Sequence, residues 1–164
     1  MLEEPYRFTV SKERILIRKA EEKDLEDLYR IEMECFREEA FPLFYMRRFI
    51  RDPKFITLVA ISSDKIVGFI VSSIEMFRGI LGGHIYSIDV KPEYRRRGIG
   101  SRLLASTEKI LKKMGAKTCY LEAYVNNTTA IKFYLKHNYE FLEFLKNYYD
   151  TGKNGIRLIK KLDP

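Results

Sequence analysis

Apolar and polar residues alternate from Ile15 to Lys19, the period-two pattern of a half-buried strand. After Ala20 the period changes. Leu25, Leu28, Tyr29, Ile31, Cys35 and Phe36 fall at mostly helical spacing, with acids crowding the first turns, where the helix dipole favours them. Phe41-Pro42-Leu43 interrupts this run. Pro42 opens a second short helix through Arg51, and Asp52-Pro53 closes it. Two β-rich runs follow, Phe55–Ser62 and Lys65–Phe77, joined by Ser63-Asp64 as a hairpin. Gly79, Gly82 and Gly83 read as the next turn, and His84–Val90 as another strand. A helix is expected over Gly98–Gly115, with Leu103, Leu104, Ile110, Leu111 and Met114 on its buried side and Gly115 as its stop. A strand over Lys117–Val125, a helix over Asn126–His137 and strands over Tyr139–Tyr148 and Ile156–Leu162 complete the chain. The order β-α-α-β-β-β-α-β-α-β-β predicts an α/β (α+β) fold, a mixed sheet with helices on both faces.

At 164 residues the chain suits one domain, 1–164, with residues 1–12 as an N-terminal extension. A chain of this size hides about two-thirds of its unfolded surface, enough for a core. The longest clearly apolar stretch, Ile66–Val71, is far short of the ~20 residues that span a bilayer. Met1–Ser11 is charged and lacks the apolar centre of a secretory signal. Two scattered thiols, Cys35 and Cys119, match no zinc spacing and imply a reducing, cytoplasmic setting with no metal. In that setting the sequons at Asn126 and Asn127 have no acceptor role.

Charge sharpens the picture because it is local. Lys91–Lys117 carries nine basic and two acidic residues, which accounts for the whole net charge of +7. Residues 21–40 carry nine acids and three bases, a net −6. A uniformly basic shell is excluded, and the question becomes which anion one segment serves.

The sharpest feature of that segment is Arg95-Arg96-Arg97-Gly98-Ile99-Gly100, between the His84–Val90 strand and the following helix. A strand turning through glycines into a helix start exposes several backbone N–H groups at the positive end of the dipole. Glycine lets the backbone approach a bulky anion, and the arginines raise the potential, so a diphosphate fits. A P-loop is excluded because no Gly-Lys-Ser/Thr follows, and a dinucleotide fingerprint because Leu103 stands where a third glycine belongs. A plain basic surface turn is the competing reading. A second constellation adds to the first. Asn127 and Tyr134 lie seven residues apart on a helix, about 20° short of two turns, with small Ala130 between them. Glu122 stands near the end of the preceding strand, so a carboxylate, an amide and a phenol converge at one strand-to-helix mouth.

Over Ile15–Leu162 these residues resemble the GNAT superfamily of acetyl-CoA-dependent N-acetyltransferases, most closely the RimI-like and archaeal or eukaryotic protein N-terminal acetyltransferases. Arg95-x-x-Gly98-x-Gly100 is similar to the family's acyl-CoA pyrophosphate motif. Leu121-Glu122 with Asn127, Ala130-Ile131 and Phe133-Tyr134 is similar to its second motif. Phe41-Pro42-Leu43-Phe44-Tyr45 and Asn147-Tyr148-Tyr149 resemble substrate-side loops of the N-terminal branch. The chain departs at Ala123-Tyr124, where Val-Arg is common, and at Asn138, where glycine is usual. The resemblance implies the GNAT fold, a mostly antiparallel sheet of about seven strands.

It also implies direct acetyl transfer from acetyl-CoA (CoA) to an amine. Ile88, Val90, Arg95, Arg96, Arg97, Gly98, Ile99, Gly100, Ser101, Asn127, Ala130 and Tyr134 are then expected to bind the cofactor. Tyr134 is expected as general acid towards the sulfur, and Val90 N–H as a donor to the carbonyl. Glu122 is the first choice of general base and His84 the second. Phe41, Pro42, Leu43 and Tyr45 would wall a first side chain, and Tyr148 and Tyr149 would close over a peptide. The expected substrate is the α-amino group of a protein N-terminus. Alternatives are a small-molecule amine or Lys side chain as substrate. Outside enzymes they are an acyl-CoA sensor or a basic nucleic-acid-binding domain built on Lys109, Lys112 and Lys113. The aromatics do not interleave with that cluster, so no nucleic-acid partner is expected, and no membrane partner either. The sequence fixes no oligomeric state.

Overall fold

A computed structural model describes residues 14–162, so the expected extension at 1–12 lies outside the described residues. Seven strands and four helices follow in the expected order. They are β1 (Ile15–Lys19), α1 (Leu25–Phe36), α2 (Leu43–Arg51), β2 (Phe55–Ser62), β3 (Lys65–Phe77), β4 (Ile80–Val90), α3 (Ile99–Lys113), β5 (Thr118–Tyr124), α4 (Thr128–Lys136), β6 (Glu140–Leu145) and β7 (Gly155–Lys161). The sheet runs β1-β2-β3-β4-β5-β7-β6. Every pair is antiparallel except β4 with β5, which α3 connects.

Each face of the sheet carries its own core. Leu28 and Ile31 of α1 and Met46 and Phe49 of α2 pack on Val59, Phe69 and Val71. Leu103, Leu104 and Leu111 of α3 and Tyr134 of α4 pack on Ala60, Val67, Ile70, Ile85 and Leu121 on the other face. Alternate residues of one strand thus serve opposite layers. Among the described residues no helix is long and apolar enough to cross a membrane.

The glycines need one correction. Gly82 and Gly83 belong to β4, and the preceding turn is Arg78-Gly79, with φ of 50° and 79°. A Cβ at Gly83 would lie 2.4 Å from Leu111 Cδ1, so this glycine serves close helix–strand packing and not a turn. Similarly, β6 stops at Leu145, short of the expected Tyr148, and Asn147 turns with φ of 51°. Ser63 and Asp64, at φ 47° and 64°, form the anticipated two-residue hairpin turn.

Two irregularities open the sheet where the site lies. Val71 pairs with Ser87 while Ser72 pairs with Ile85, so Tyr86 is an extra residue that bends β4. Beyond the pairs His84–Tyr120 and Ile85–Leu121, the ladder between β4 and β5 ends and the strands splay. Lys91 N–H bonds Val67 O on the β3 side, and backbone groups alternate direction along a strand. Ile88 and Val90 therefore direct their N–H and C=O groups into the splay.

Candidate active site

On the α3 side, the splay continues into a cleft of about 900 Å³ between β4, α3 and α4. The α3 start forms its floor. Gly98 has φ of 78° and precedes the helix, and nothing lies within 4 Å of where its side chain would begin. Arg102 N–H is the first to find an intrahelical acceptor, Gly98 O at 3.1 Å. The N–H groups of Ile99, Gly100 and Ser101 have no acceptor inside the helix and sit at its positive end. Arg95, Arg96 and Lys136 line the same cleft, with no carboxylate among its lining residues. This donor set and open cradle fit a doubly charged diphosphate.

Most of the expected cofactor residues meet here: Ile88, Val90, Arg95, Arg96, Gly98, Ile99, Gly100, Ser101, Asn127, Ala130 and Tyr134. Asn127 also caps α4, its Oδ1 accepting from Ala130 N–H at 3.2 Å. Arg97 points elsewhere. Its guanidinium lies 5.0 Å over the Tyr94 ring and donates to Glu93 O. Arg95 turns back to the strand and donates from Nε to Val90 O at 3.0 Å. The Tyr134 phenol is 8% exposed, and burial pushes its pKa above the ordinary value, so it stays protonated. Cys35, Phe36, Tyr94, Thr129, Phe133, Lys136 and His137 also line the cleft without having been singled out for it.

On the opposite face, just where β4 and β5 part, lies a polar chain. His84 Nε2 is 2.6 Å from Glu122 Oε1, and His84 Nδ1 is 3.0 Å from Glu75 Oε1. Arg157 Nε donates to Glu122 Oε2 at 3.0 Å, and its Nη1 donates to Glu143. Glu75 in turn accepts from the Tyr120 hydroxyl and, at 3.0 Å, from Ser73 Oγ. The His84 ring is stacked on Tyr120, centroids 4.4 Å apart, and tilted against Tyr86 at 4.2 Å. Burial works to raise the Glu122 pKa, but the bonds and charges of His84 and Arg157 outweigh it, and the carboxyl sits below its usual range. Glu75 is likewise lowered. Burial opposes the shift there, while the bonds from Tyr120 and Ser73 and the charge of His84 prevail.

The substrate-side loops meet over this chain. Tyr148 donates its hydroxyl to Glu122 Oε1 at 3.3 Å, and burial with the Glu122 charge pushes its pKa up to about 12. Tyr149 packs edge-on against Tyr148 and Tyr124. Lys153, in the same loop, pairs with Glu39 at 2.6 Å and so ties it to the loop between α1 and α2. Phe41 packs edge-on against Phe49 at 5.1 Å, while Pro42, Leu43 and Tyr45 are exposed. Glu75 and Arg157 escaped the sequence reading. The signal for Glu75 was a lone carboxylate in the apolar run from Ile66 to Phe77, which demands a partner, whereas Arg157 shares its strand with Lys160 and Lys161 and does not stand out.

Comparisons with known proteins show what the chain is similar to. The pattern of the Acetyltransferase (GNAT) family matches residues 25–139. An N-alpha-acetyltransferase of Saccharolobus solfataricus is 31% identical over 155 residues, covering 89% of this chain and 92% of the relative. The crystal structure of Ard1 from Thermoplasma volcanium superposes with a TM-score of 0.81 at 26% identity, covering 92% of this chain and 99% of that one. An aminoglycoside 6'-N-acetyltransferase complexed with coenzyme A superposes with a TM-score of 0.78 at 21% identity, covering 91% and 98% of the two chains. At that identity the last likeness speaks for the fold alone.

Proposed function

The chain belongs to the acetyltransferase (GNAT) family, and from that premise we propose that it moves acetyl from acetyl-CoA to the α-amino group of a protein N-terminus. One observation carries the reading. The β4–β5 splay joins an anion cradle on one face to a hydrogen-bonded carboxylate–imidazole pair on the other.

Acetyl-CoA supplies the activated acetyl group. The α3 start, Arg96 and Lys136 would hold its phosphates, with the Arg95 charge beside them in the cleft, and Ile88 and Val90 would hold its arm along the splay. Val90 N–H, aimed into the splay, is a donor to the thioester oxygen. Tyr134, kept protonated, is the proton source for the departing sulfur. The thiols offer no acyl-enzyme. Burial, with the charge of Asp89, pushes Cys35 up to about 11, and burial pushes Cys119 up to about 12. Near neutral pH neither is a thiolate, so the amine attacks directly.

The amine's proton goes to Glu122 and His84 acting as a unit. Glu122 alone, held below the usual carboxylate range, is a weak base, and the imidazole bonded to it completes the acceptor. This weak base favours an amine that ionises easily. An α-amino group has a pKa of about 7.7–8, against about 10.4 for a Lys side chain. The loops support a peptide substrate, since Tyr148 and Tyr149 flank Glu122 and the Lys153–Glu39 pair draws the α1–α2 loop alongside. The two free thiols suit a reducing, cytoplasmic setting.

The test is mass spectrometry of a peptide library treated with enzyme and acetyl-CoA. Acetylation at the first residue, with internal lysines untouched, supports the proposal. Faster acetylation of Lys side chains or free polyamines overturns it.

A further inference from the structure

His137 sits at the C-terminal end of α4 and lines the cleft opposite the α3 start. Both ring nitrogens are engaged. Nδ1 lies 2.7 Å from Phe133 O, and Nε2 lies 2.8 Å from Ser101 Oγ. A carbonyl oxygen only accepts, so Nδ1 must carry a proton. In the neutral ring Nε2 is then bare, and the Ser101 hydroxyl donates to it. In the charged ring Nε2 also carries a proton, and Ser101 becomes the acceptor.

Ser101 is the third helical residue of α3, and it lines the cleft beside N–H groups that await an anion. Its hydroxyl has one hydrogen. With His137 neutral that hydrogen is spent on Nε2, and oxygen lone pairs are left to face the phosphates. With His137 charged the hydrogen turns to the phosphates, and one more positive charge stands behind it. We propose that the protonation state of His137, relayed through Ser101, sets the affinity of this cleft for the diphosphate of its cofactor.

The surroundings strengthen the coupling. The titratable and charged groups lining the cleft with His137 are Cys35 from α1, Tyr94, Arg95 and Arg96 from the turn before α3, and Tyr134 and Lys136 from α4. None is a carboxylate, so no acid in the cleft competes with the phosphates for the imidazolium. By linkage, an anion bound at Ser101 favours the charged ring, and affinity falls as pH rises. His137 is thus a positioning residue that acts through Ser101.

The proposal rests on acetyl-CoA being the ligand, and binding alone can test it. Calorimetric titration with dephospho-CoA removes the terminal phosphate, whose own second ionisation near pH 6 would confuse the profile. Measured between about pH 5 and 8, the wild-type Kd is expected to weaken about tenfold, the loss of one charge-assisted hydrogen bond. Ser101→Ala and His137→Gln are each expected to flatten that profile. The second variant also tests the ring directly, and the first leaves the α4 end intact. A wild-type profile flat over this range overturns the proposal, as does a Ser101→Ala profile that keeps the wild-type slope. Failure to bind CoA at every pH would instead overturn the acetyl-CoA reading beneath it.

Discussion

His84 Nε2 lies 2.6 Å from Glu122 Oε1, across the last rungs of the β4–β5 ladder before the strands part. The other ring nitrogen meets Glu75, so the imidazole is clamped between two carboxylates and cannot rotate away. Its ring faces are held by Tyr120 and Tyr86. On the proposed mechanism the clamped imidazole and its carboxylate accept one proton as a unit, and this has measurable consequences.

Glu122→Gln and His84→Asn should each lower kcat by about 10²–10⁴. Because either change breaks the same unit, the double variant should lose little more than the worse single one. Steady-state kinetics on an N-terminal peptide would check this. Fully additive losses would mean that the two side chains act independently.

Tyr134→Phe removes one hydroxyl from a buried ring and keeps its packing. The expected result is a fall in kcat of about 10²-fold or more, well beyond any change in CoA affinity, read by calorimetry beside kinetics. Normal turnover by this variant would remove Tyr134 from the proton path.

Gly98 and Gly83 separate two uses of glycine. At Gly98 the space is open but φ is 78°, so Gly98→Ala should strain the cradle by about 1–2 kcal/mol. The acetyl-CoA KM should then rise by roughly tenfold while the fold persists. At Gly83 the Cβ would lie 2.4 Å from Leu111 Cδ1, so Gly83→Ala should cost about 1–3 kcal/mol of stability through overpacking. Denaturant midpoints and KM, measured on both variants, distinguish strain from crowding.

Glu32 and Asp89 are each 1% exposed, and each has one buried oxygen that no N–H or hydroxyl donor reaches, so only a proton on one acid can bond them to each other. Burial, then the hydrogen bond and charge of Glu32, raise the Asp89 pKa well above its ordinary value. The folded state therefore holds a proton that the unfolded chain releases near about pH 4. Stability is greatest below that point and declines as pH rises towards the folded pKa, by at most about 1.4 kcal/mol per pH unit. Asp89→Asn lacks this proton and donates an N–H to the acid opposite. Its thermal midpoint should exceed that of the wild type at neutral pH, and the gap should close near about pH 4. Parallel curves from acid to neutral pH would refute the shared proton.

The element order was legible because its signals are local. Period two and period 3.6 appear within a few residues, as at Ile15–Lys19 and along α3. Asn138 at a helix end was legible too, and its φ of 70° is the left-handed conformation that asparagine tolerates. Gly82 and Gly83 misled because a glycine reads the same whether it turns the chain or admits Leu111. Only the packed helix distinguishes the two.

By itself the sequence determined the strand–turn–helix phosphate motif and the concentration of charge within Lys91–Lys117, since both are properties of adjacent residues. Tertiary structure decided that Arg97 lies on Tyr94 and not in the cleft, and that β4 bends at Tyr86 and leaves β5. It also brought Glu75 and Glu122, from two different strands, onto His84, and Arg157, from a third, onto Glu122. Residues so far apart along the chain meet only through strand pairing. A register shifted by a single residue would send each of them to the other face of the sheet.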